Sequence, residues 1–372
     1  MRLSELKTGQ SATILNVLGH GGFRRRIMEM GFVRGKRVDV LQNAPLRDPI
    51  KYRIMDYEVS LRRSEAAMIV VITAEEVQQQ LSVAGETLSA PDDADFEEAI
   101  STRSRTINVA LIGNPNSGKT SLFNAISGGH EHVGNYSGVT VDAKRGEYRY
   151  GGYRFVITDL PGTYALSAYT PEELYVRRHL VNDTPDVVVN AVVASNLERN
   201  LYLTTELIDI DPKMVVALNM YDELEASGAV LDYEHLGAML GVPMVPVVAK
   251  TGRGLETLLD TVIAVYENRD PRVRHIHINN GPVVEQALRP LYERLRSDRD
   301  ELPKHFPPRY FAMKLLERDK EVEAQLADCP HFAEWIALRD RAVPQVEEEL
   351  GEDVETALAN QKYGFISGAL KE

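Results

Sequence analysis

The chain has 372 residues, of which 44% are hydrophobic, so it is long enough for two or three domains with packed cores. Its formal net charge of −13 argues against general nucleic-acid binding, and its single cysteine, Cys329, excludes an internal disulfide or a zinc site made of several cysteines. No segment approaches the roughly 20 apolar residues that a membrane-spanning helix needs. Composition therefore predicts a soluble, cytosolic chain.

The first 75 residues are predicted to form a small β-rich domain, because short apolar or alternating runs are separated by turn residues. One helical stretch, at 23–30, ends at Gly31. Short strands with one helix are typical of a partly open small barrel. Residues 76–105 have little apolar surface to bury, so we expect a flexible acidic linker there. The predicted strands are at 12–17, 37–41, 52–55 and 67–73.

Residues 106–270 alternate near-continuous apolar runs with helical patterns, which predicts an α/β domain with a mostly parallel sheet. Residues 271–372 show helical spacing without β runs, which predicts an acidic all-α helical bundle. The expected fold class is therefore multidomain, with a β-barrel, an α/β domain and a helical bundle in that order. The predicted α/β strands are at 107–112, 155–159, 186–193, 214–219 and 242–248; the predicted bundle helices are at 283–295, 312–326, 332–341 and 345–360.

A complete phosphate-binding loop, Gly-Asn-Pro-Asn-Ser-Gly-Lys-Thr at 113–120, follows the first α/β strand and opens a helix, which is the context this motif needs. Backbone N–H groups of 116–120 are expected to cradle the phosphates of a nucleotide. The ammonium of Lys119 would meet the β- and γ-phosphates, and the hydroxyl of Thr120 would ligate Mg²⁺. The predicted nucleotide-binding residues here are Gly113, Asn114, Asn116, Ser117, Gly118, Lys119, Thr120 and Ser121.

A D-x-x-G motif at 159–162 supplies the next predicted site residues. Asp159 ends a strand and would hold Mg²⁺ through water, and the N–H of Gly162 would sense the γ-phosphate. Thr163 stands where many GTPases carry a water-positioning glutamine. Its presence implies slow hydrolysis or another electrostatic helper, and Asn116 is predicted to bind a monovalent cation that bridges the phosphates.

An N-x-x-D motif at 219–222 predicts the choice of base, because a carboxylate accepts hydrogen bonds from guanine N1–H and N2–H₂ that adenine lacks. Asn219 and Asp222 follow a strand, where ligands bind in such sheets. Ala249 is predicted to donate its N–H to guanine O6. Thr140 is the candidate switch threonine, which would reach Mg²⁺ and the γ-phosphate only when GTP is bound. With Lys119, Asn116 and the N–H of Gly162 it forms the predicted catalytic set, in which Thr140 and Gly162 help to set the attacking water. The neighbouring Met220 and Val248 complete the predicted guanine-binding set.

These segments together resemble known families of iron transport proteins. The segments GNPNSGKTS (113–121), VGNYSGVTV (133–141), DLPGTYAL (159–166) and NMYD (219–222) resemble the cytosolic GTPase of ferrous iron transport protein B. Three segments resemble the small SH3-like ferrous iron transport protein A: RRRIMEMGFV (24–33), APLRDPI (44–50) and YEVSLRRSEAA (57–67). The final helices, ending in KYGFIS (362–367), resemble the helical domain that precedes the membrane part of the B protein.

The resemblance implies a Ras-like GTPase that is stimulated by K⁺, with the potassium-ligating asparagine at Asn116. It also implies a helical domain that acts like a GDP-dissociation inhibitor, and Met220 in place of a base-stacking lysine, which favours fast GDP release. Tyr136 and Ser137 stand where the family usually has tryptophan and proline in its cation-binding loop. The expected cofactors are GTP or GDP, Mg²⁺ and K⁺.

The resemblance further implies a parent protein at the cytoplasmic face of a bacterial inner membrane. Its partner would be its own transmembrane Fe²⁺ permease domain, which this chain lacks. Intramolecular contacts of the A-like domain and a homo-oligomer are possible, and no nucleic-acid partner is expected. Two alternatives stay open: a non-catalytic GTP switch or adaptor, since the usual glutamine is missing, and an RNA- or ribosome-associated GTPase, against which the acidic C-terminus argues.

Overall fold

The computed structural model describes residues 1–18, 27, 30–33, 35–43, 48–55, 57–76, 105–128, 131–133, 143–167, 169–303 and 306–371. It divides into two compact units, Met1–Thr106 and Ile107–Glu372, which are taken in turn. Three predictions fall largely or wholly outside the described residues: the helix at 23–30, the flexible linker, and the switch loop with Thr140, Tyr136 and Ser137.

The first unit contains one antiparallel five-stranded sheet in the order β4-β3-β2-β1-β5. Side chains such as Ile14, Val38 and Tyr52 are fully buried between its strands and the short helices, so this unit has a core of its own. The predicted strand at 52–55 corresponds to β3. It forms a hairpin with β4, which the sequence pattern did not predict. The strands are β1 (Ser11–Val17), β2 (Arg37–Asn43), β3 (Ile50–Ile54), β4 (Tyr57–Leu61) and β5 (Ile69–Ile72), with a short helix α1 (Arg63–Ala66).

The second unit is built on a seven-stranded sheet in the order β12-β11-β10-β6-β9-β8-β7. Strands β6, β10, β11 and β12 pair in parallel, as predicted, whereas β7, β8 and β9 form an antiparallel edge. The sequence pattern did not predict β7 and β8. The strands are β6 (Thr106–Gly113), β7 (Glu131–Val133), β8 (Lys144–Tyr150), β9 (Tyr153–Asp159), β10 (Val187–Val193), β11 (Met214–Asn219) and β12 (Met244–Pro246).

Helices cover both faces of this sheet because its central strands, such as β10 and β11, are apolar and buried on both sides. One face packs against α2 and α7 through residues such as Phe123 and Leu258. The other face packs against α4, and that core continues into the C-terminal helices through Leu203, Leu316 and Leu358. These helices are α2 (Lys119–Ser127), α3 (Pro171–Asn182), α4 (Leu197–Ile210), α5 (Tyr221–Ala226), α6 (Tyr233–Leu240) and α7 (Leu255–Tyr266).

The C-terminal region is helical, as predicted, but two helix boundaries were wrong. The predicted helix at 312–326 is two helices, because Arg318 has φ 57° and Asp319 caps a new helix. The predicted break near 342–344 is absent: one helix runs through Pro344 and ends at Gly351, whose φ is 71°. None of the described helices is both long and apolar enough to cross a bilayer. The helices are α8 (Gly281–Ser297), α9 (Pro308–Leu316), α10 (Lys320–Leu326), α11 (Phe332–Leu350) and α12 (Val354–Lys371).

Candidate functional site

The phosphate-binding loop joins the carboxyl end of β6 to the amino end of α2. Gly113 is the last residue of β6, and Gly118 is the N-cap of α2 with φ 74°. Asn116 also has a positive φ, 65°, so the loop turns back sharply before the helix starts. The free N–H groups at the start of α2 therefore point out of the sheet edge, where an anion is stabilised by the helix terminus.

Two glycines of this loop are required by close packing. A Cβ atom on Gly118 would lie 2.3 Å from Asn219 Nδ2, and one on Gly113 would lie 2.5 Å from the carbonyl oxygen of Ala191. The predicted phosphate loop and the predicted guanine motif are thus in direct contact, although they lie about a hundred residues apart in the sequence.

The three predicted phosphate and metal ligands of this edge lie together. The ammonium of Lys119 is paired with Asp159 Oδ1, and the hydroxyl of Thr120 donates to Asp159 Oδ2 at 3.1 Å. Lys119 and Asp159 are both nearly buried. Lys119, Thr120 and Asp159 thus place an ammonium, a hydroxyl and a carboxylate where one Mg²⁺ ion and its phosphate would bind. The ion and the phosphate would compete with the Lys119–Asp159 pair for the same atoms.

The D-x-x-G loop packs directly against the phosphate loop. The N–H of Thr163 donates to the carbonyl of Gly113 at 3.2 Å, and a Cβ on Gly162 would lie 3.1 Å from Pro115 Cα. Thr163 is buried, and its hydroxyl donates to the carbonyl of Ala165 at 2.6 Å. The side chain that replaces the usual glutamine is therefore used within its own loop.

Asn219 connects three segments of the predicted guanine site. It is buried, its Nδ2 donates to the carbonyl of Ser117 at 2.9 Å, and its Oδ1 accepts from the N–H of Ala249 at 3.1 Å. The predicted contact of Ala249 with guanine O6 stays a prediction, since here that N–H is bonded to Asn219. Met220, with φ 54°, is the N-cap of α5, and Asp222 is exposed in the first turn.

The remaining predicted residues are placed as follows. Asn116 and Ser121 are exposed on the loop and on the first turn of α2. Asn114 and Ser117 are buried, and their Oδ1 and Oγ atoms have no hydrogen-bond partner among the described residues. Val248 is buried beside Ala249. Thr140, predicted for both Mg²⁺ and catalysis, lies outside the described residues, so its position relative to the others stays a prediction.

One possible metal-binding group was missed by the sequence analysis. Among the described residues, the ligand atoms of Asp298, Glu301 and His331 all lie within 4.8 Å of one another. Asp298 accepts from Trp335 Nε1 at 2.8 Å and pairs with Arg294 at 3.0 Å, while His331 Nδ1 lies 2.5 Å from Glu301 Oε1. These contacts join the end of α8 to α11, so the group is accounted for by packing within the bundle.

The sequence analysis also missed several pairs that join the α/β part to the helices. Arg177 of α3 is paired with Asp319, and both side chains are buried. Glu206 of α4 is paired with Lys314 and Lys362 from two different helices. These partners lie more than 100 residues apart, and no local spacing rule connects them.

The three motifs at one edge of this sheet define a P-loop protein of the Ras-like, GTP-binding class. Family profiles place the chain more closely: "Ferrous iron transport protein B" matches residues 107–262, "FeoA domain" matches 1–73, and "FeoB cytosolic helical domain" matches 281–372. The chain belongs to the FeoB family of ferrous iron transport proteins and carries a fused FeoA domain.

Individual relatives agree with this placement. The chain is 48% identical to the Fe(2+) transport protein A/Fe(2+) transporter FeoB fusion protein of Porphyromonas gingivalis, in an alignment that covers all of this chain and 47% of that protein. It is 36% identical, with a TM-score of 0.62, to NFeoB from S. thermophilus bound to GDP.AlF4- and K+, over 72% of this chain and all of the other. The cytosolic domain of T. maritima FeoB in GDP form II is 30% identical, with a TM-score of 0.61, over 72% of this chain and 98% of the other.

Proposed function

We propose that this chain binds GTP and hydrolyses it, and that it is the cytosolic regulatory part of a bacterial Fe²⁺ transporter. The observation that carries the proposal is the convergence of Lys119, Thr120, Asp159, Asn219 and the Gly162 loop at one sheet edge. The solved relative bound to GDP.AlF4- and K+ supports it, because AlF4⁻ with GDP imitates a phosphoryl group in transfer.

In this proposal each residue has a separate task. Asn219 and Asp222 bind guanine, with Met220, Val248 and Ala249 forming the rest of the base site. Lys119 and the loop N–H groups hold the phosphates, and the Gly162 N–H meets the γ-phosphate. Thr120, with Asp159 through water and Thr140, would hold Mg²⁺. The 3.1 Å contact between Thr120 and Asp159 fits such a site.

We place the K⁺ site at Asn116, whose side chain is exposed at the turn of the loop. Mg²⁺ and K⁺ would supply positive charge where negative charge develops on the phosphate oxygens. The chain itself would contribute the ammonium of Lys119, the Gly162 N–H and the loop amides as donors to the phosphate oxygens.

The chain spans less than half of the length of the curated relatives it matches, so the activity of the whole protein is also part of this proposal. We place the chain at the cytoplasmic face of the inner membrane, with a transmembrane Fe²⁺ permease domain of the parent protein as its partner. A GTP-dependent signal from the predicted switch residue Thr140 would then be passed to the helical region and the permease.

The experiment is GTP hydrolysis by this chain in KCl and in NaCl, with Asn116→Ala alongside. The expected result is faster hydrolysis in KCl and loss of that stimulation in Asn116→Ala. Near-zero, equal rates in both salts, with GTP still bound, would contradict the catalytic assignment.

A second candidate, a GTP switch without intrinsic catalysis, is favoured by one observation. The hydroxyl of Thr163 is bonded to the Ala165 carbonyl, so it does not replace the missing glutamine in positioning water. Single-turnover hydrolysis of pre-bound GTP separates the two candidates, because a switch would retain GTP intact over many times the turnover time of an active relative.

A further inference from the structure

Two segments of this chain form the proposed guanine site, and they come from different strands. The first is the turn after β11 with the helix α5, which carries Asp222; the second is the loop after β12, which carries Ala249. The distance between them sets the width of the base pocket. Whatever ties the loop to α5 therefore affects how easily a bound guanine leaves.

The Ala249 loop, defined here as residues 248–254, is internally rigid. The N–H of Val248 donates to the carbonyl of Arg253 at 2.9 Å, and the N–H groups of Thr251 and Gly252 donate to the carbonyl of Val248 at 3.1 and 3.0 Å. Arg253 is therefore tied to Val248, the residue that precedes Ala249. Any restraint on Arg253 is transmitted to the predicted base contact.

The far end of this loop is fixed by Gly254. Its φ is 82°, and a Cβ there would lie 2.1 Å from the carbonyl oxygen of Pro246, so the chain passes directly over β12. The near end is tied from inside, where Ala249 donates to Asn219. Between these two ends, an outward movement of the loop as one unit is the motion that would widen the base pocket.

An ion pair spans the outer side of this gap. Arg253 donates to Glu225 Oε2 at 2.8 Å, and Glu225 lies three residues after Asp222 in α5, on a neighbouring position of the same helix surface. Both charged groups act on the hydroxyl of Tyr221: burial raises its pKa, Tyr233 and Glu225 raise it further, and Arg253 lowers it. The pair therefore sits beside the first residue of α5.

We infer that the Glu225–Arg253 pair is a strap that holds the Ala249 loop against the helix carrying Asp222, and so slows guanine-nucleotide release. This inference rests on the guanine-nucleotide site proposed above. Both side chains are about half exposed, 50% and 52%, so water and salt screen the pair and its effect is modest. Glu225 and Arg253 are positioning residues, since neither is placed in contact with the nucleotide.

The test uses a fluorescent GDP analogue, N-methylanthraniloyl-GDP, displaced from the full chain by excess GDP in a stopped-flow instrument. Arg253→Met and Glu225→Gln are each expected to raise the dissociation rate about 1.5- to 5-fold. The double variant is expected to have the same dissociation rate as the single variants, because all three lack the same ion pair. Arg253→Lys keeps the positive charge and is expected to retain most of the slow release of the unaltered chain.

The two single variants change the net charge in opposite directions, which separates a strap from a simple charge effect. A strap predicts faster release in both; an effect of charge near the base predicts opposite changes. The matched control is Arg154→Met, which removes a similarly exposed pair with Glu147 on β8 and β9, and it is expected to leave release unchanged.

Three outcomes would overturn the inference: unchanged release in Arg253→Met and Glu225→Gln, opposite changes in the two, or additive effects in the double variant. Equilibrium binding of the analogue to the unaltered chain is measured first. No binding there would remove the proposed guanine site itself, whereas normal binding with unaffected variants would remove the strap alone.

Discussion

At the scale of single residues, the site depends on backbone conformations that few side chains adopt. Asn116, Gly118 and Met220 all have a positive φ, and each lies in a loop assigned to the nucleotide. At Asn116 and Met220 this conformation is strained and persists only where the surroundings hold it. Gly118 adopts it without strain, but the buried amide of Asn219 leaves no room there for a methyl group.

Gly118→Ala is predicted to lower GDP affinity at least about tenfold, which corresponds to about 1.4 kcal/mol. The new methyl group would displace Asn219, and with it the contacts to Ser117 and Ala249. Isothermal titration with GDP measures the effect. Gly128→Ala is the control, because Gly128 has φ 60° at the other end of α2 but nothing within 4 Å of its added Cβ. It is expected to cost about 1 kcal/mol of stability and to leave the affinity unchanged; equal affinity losses in both would contradict the steric explanation.

The position of the phosphate-binding loop between a strand and a helix could be predicted, because its motif requires that context. The partners of Thr163 and Ala249 could not, because a hydroxyl and an N–H each have several acceptors within reach once the loop is folded. Their choice of Ala165 and Asn219 is made by tertiary packing, which no local pattern records.

At the scale of elements, the buried strands and both ends of α8 were predicted within a few residues, whereas the helix boundaries near 318 and at 342–351 were not. The run at 214–219 matches β11, because a short, continuous apolar segment is typical of a parallel strand that is buried on both faces. A break between helices was predicted at 342–344, but α11 continues through Pro344 and stops at Gly351. The apolar face of α11, with Trp335, Val343 and Val346 buried, outweighs the lost hydrogen bond. Strand β8 was missed because four of its seven residues are charged.

The neighbouring arginines Arg177 and Arg178 of α3 each have an acidic partner, one buried and one exposed, and removing each partner gives a matched pair of variants. Arg177 is paired with Asp319, with both side chains about 5% exposed, and the carboxylate of Asp319 also caps α10 by accepting from Val322 N at 3.0 Å. Burial lowers the pKa of Arg177, but Tyr310 and Asp319 outweigh it and raise the pKa, so the guanidinium stays charged.

Asp319→Ala is predicted to lower the free energy of unfolding by about 3–5 kcal/mol, because it leaves a buried arginine without its partner and removes a helix cap. Urea unfolding followed by circular dichroism measures it. Glu321→Ala removes the exposed partner of Arg178 and is expected to cost less than about 1 kcal/mol. Similar losses in the two variants would show that burial of the Arg177 pair has no special effect.

At the scale of the whole second unit, the α/β part and the helical region share one apolar core and one buried charge cluster. Lys362 of α12 pairs with Glu206 and, at 2.9 Å, with Asp209, both on α4. Lys314 of α9 lies 3.3 Å from Glu206 and 2.6 Å from Glu317. Charges of this kind hold three helices in one relative position, since any slip would leave a charge buried and unpaired.

Lys362→Met is predicted to lower the free energy of unfolding by about 3–5 kcal/mol, because Glu206 and Asp209 lose a buried partner. Urea unfolding by circular dichroism again measures it. Ser367→Ala on the same helix removes an exposed contact with Glu198 at 2.6 Å and is expected to change stability by less than about 1 kcal/mol. A well-tolerated Lys362→Met would mean that the cluster does not hold the helices in position.

The same variant is predicted to unfold at a higher pH in acid titration. Burial alone would raise the pKa of Glu206, but Lys314 and Lys362 outweigh it and lower the pKa to about 2, below its ordinary 4.5. Its contribution to stability is therefore complete above pH 4.5 and is lost as the pH falls toward 2. Without the Lys362 ammonium the folded pKa lies closer to 4.5, so Glu206 contributes less stability at neutral pH and the remaining stability is exhausted at a higher pH on acidification; an unchanged acid midpoint would contradict this account.

The interior of α11 also contains the one indole of the whole chain. Trp335 is fully buried in the helical region, where its Nε1 donates to Asp298, and no other tryptophan emits elsewhere. Excitation of the natural protein near 295 nm thus reports from a single known position, six residues after the chain's single thiol, Cys329. A change in that emission on nucleotide binding would show that binding in the α/β part alters the surroundings of Trp335 in the helical region. No attached dye would be needed to detect it.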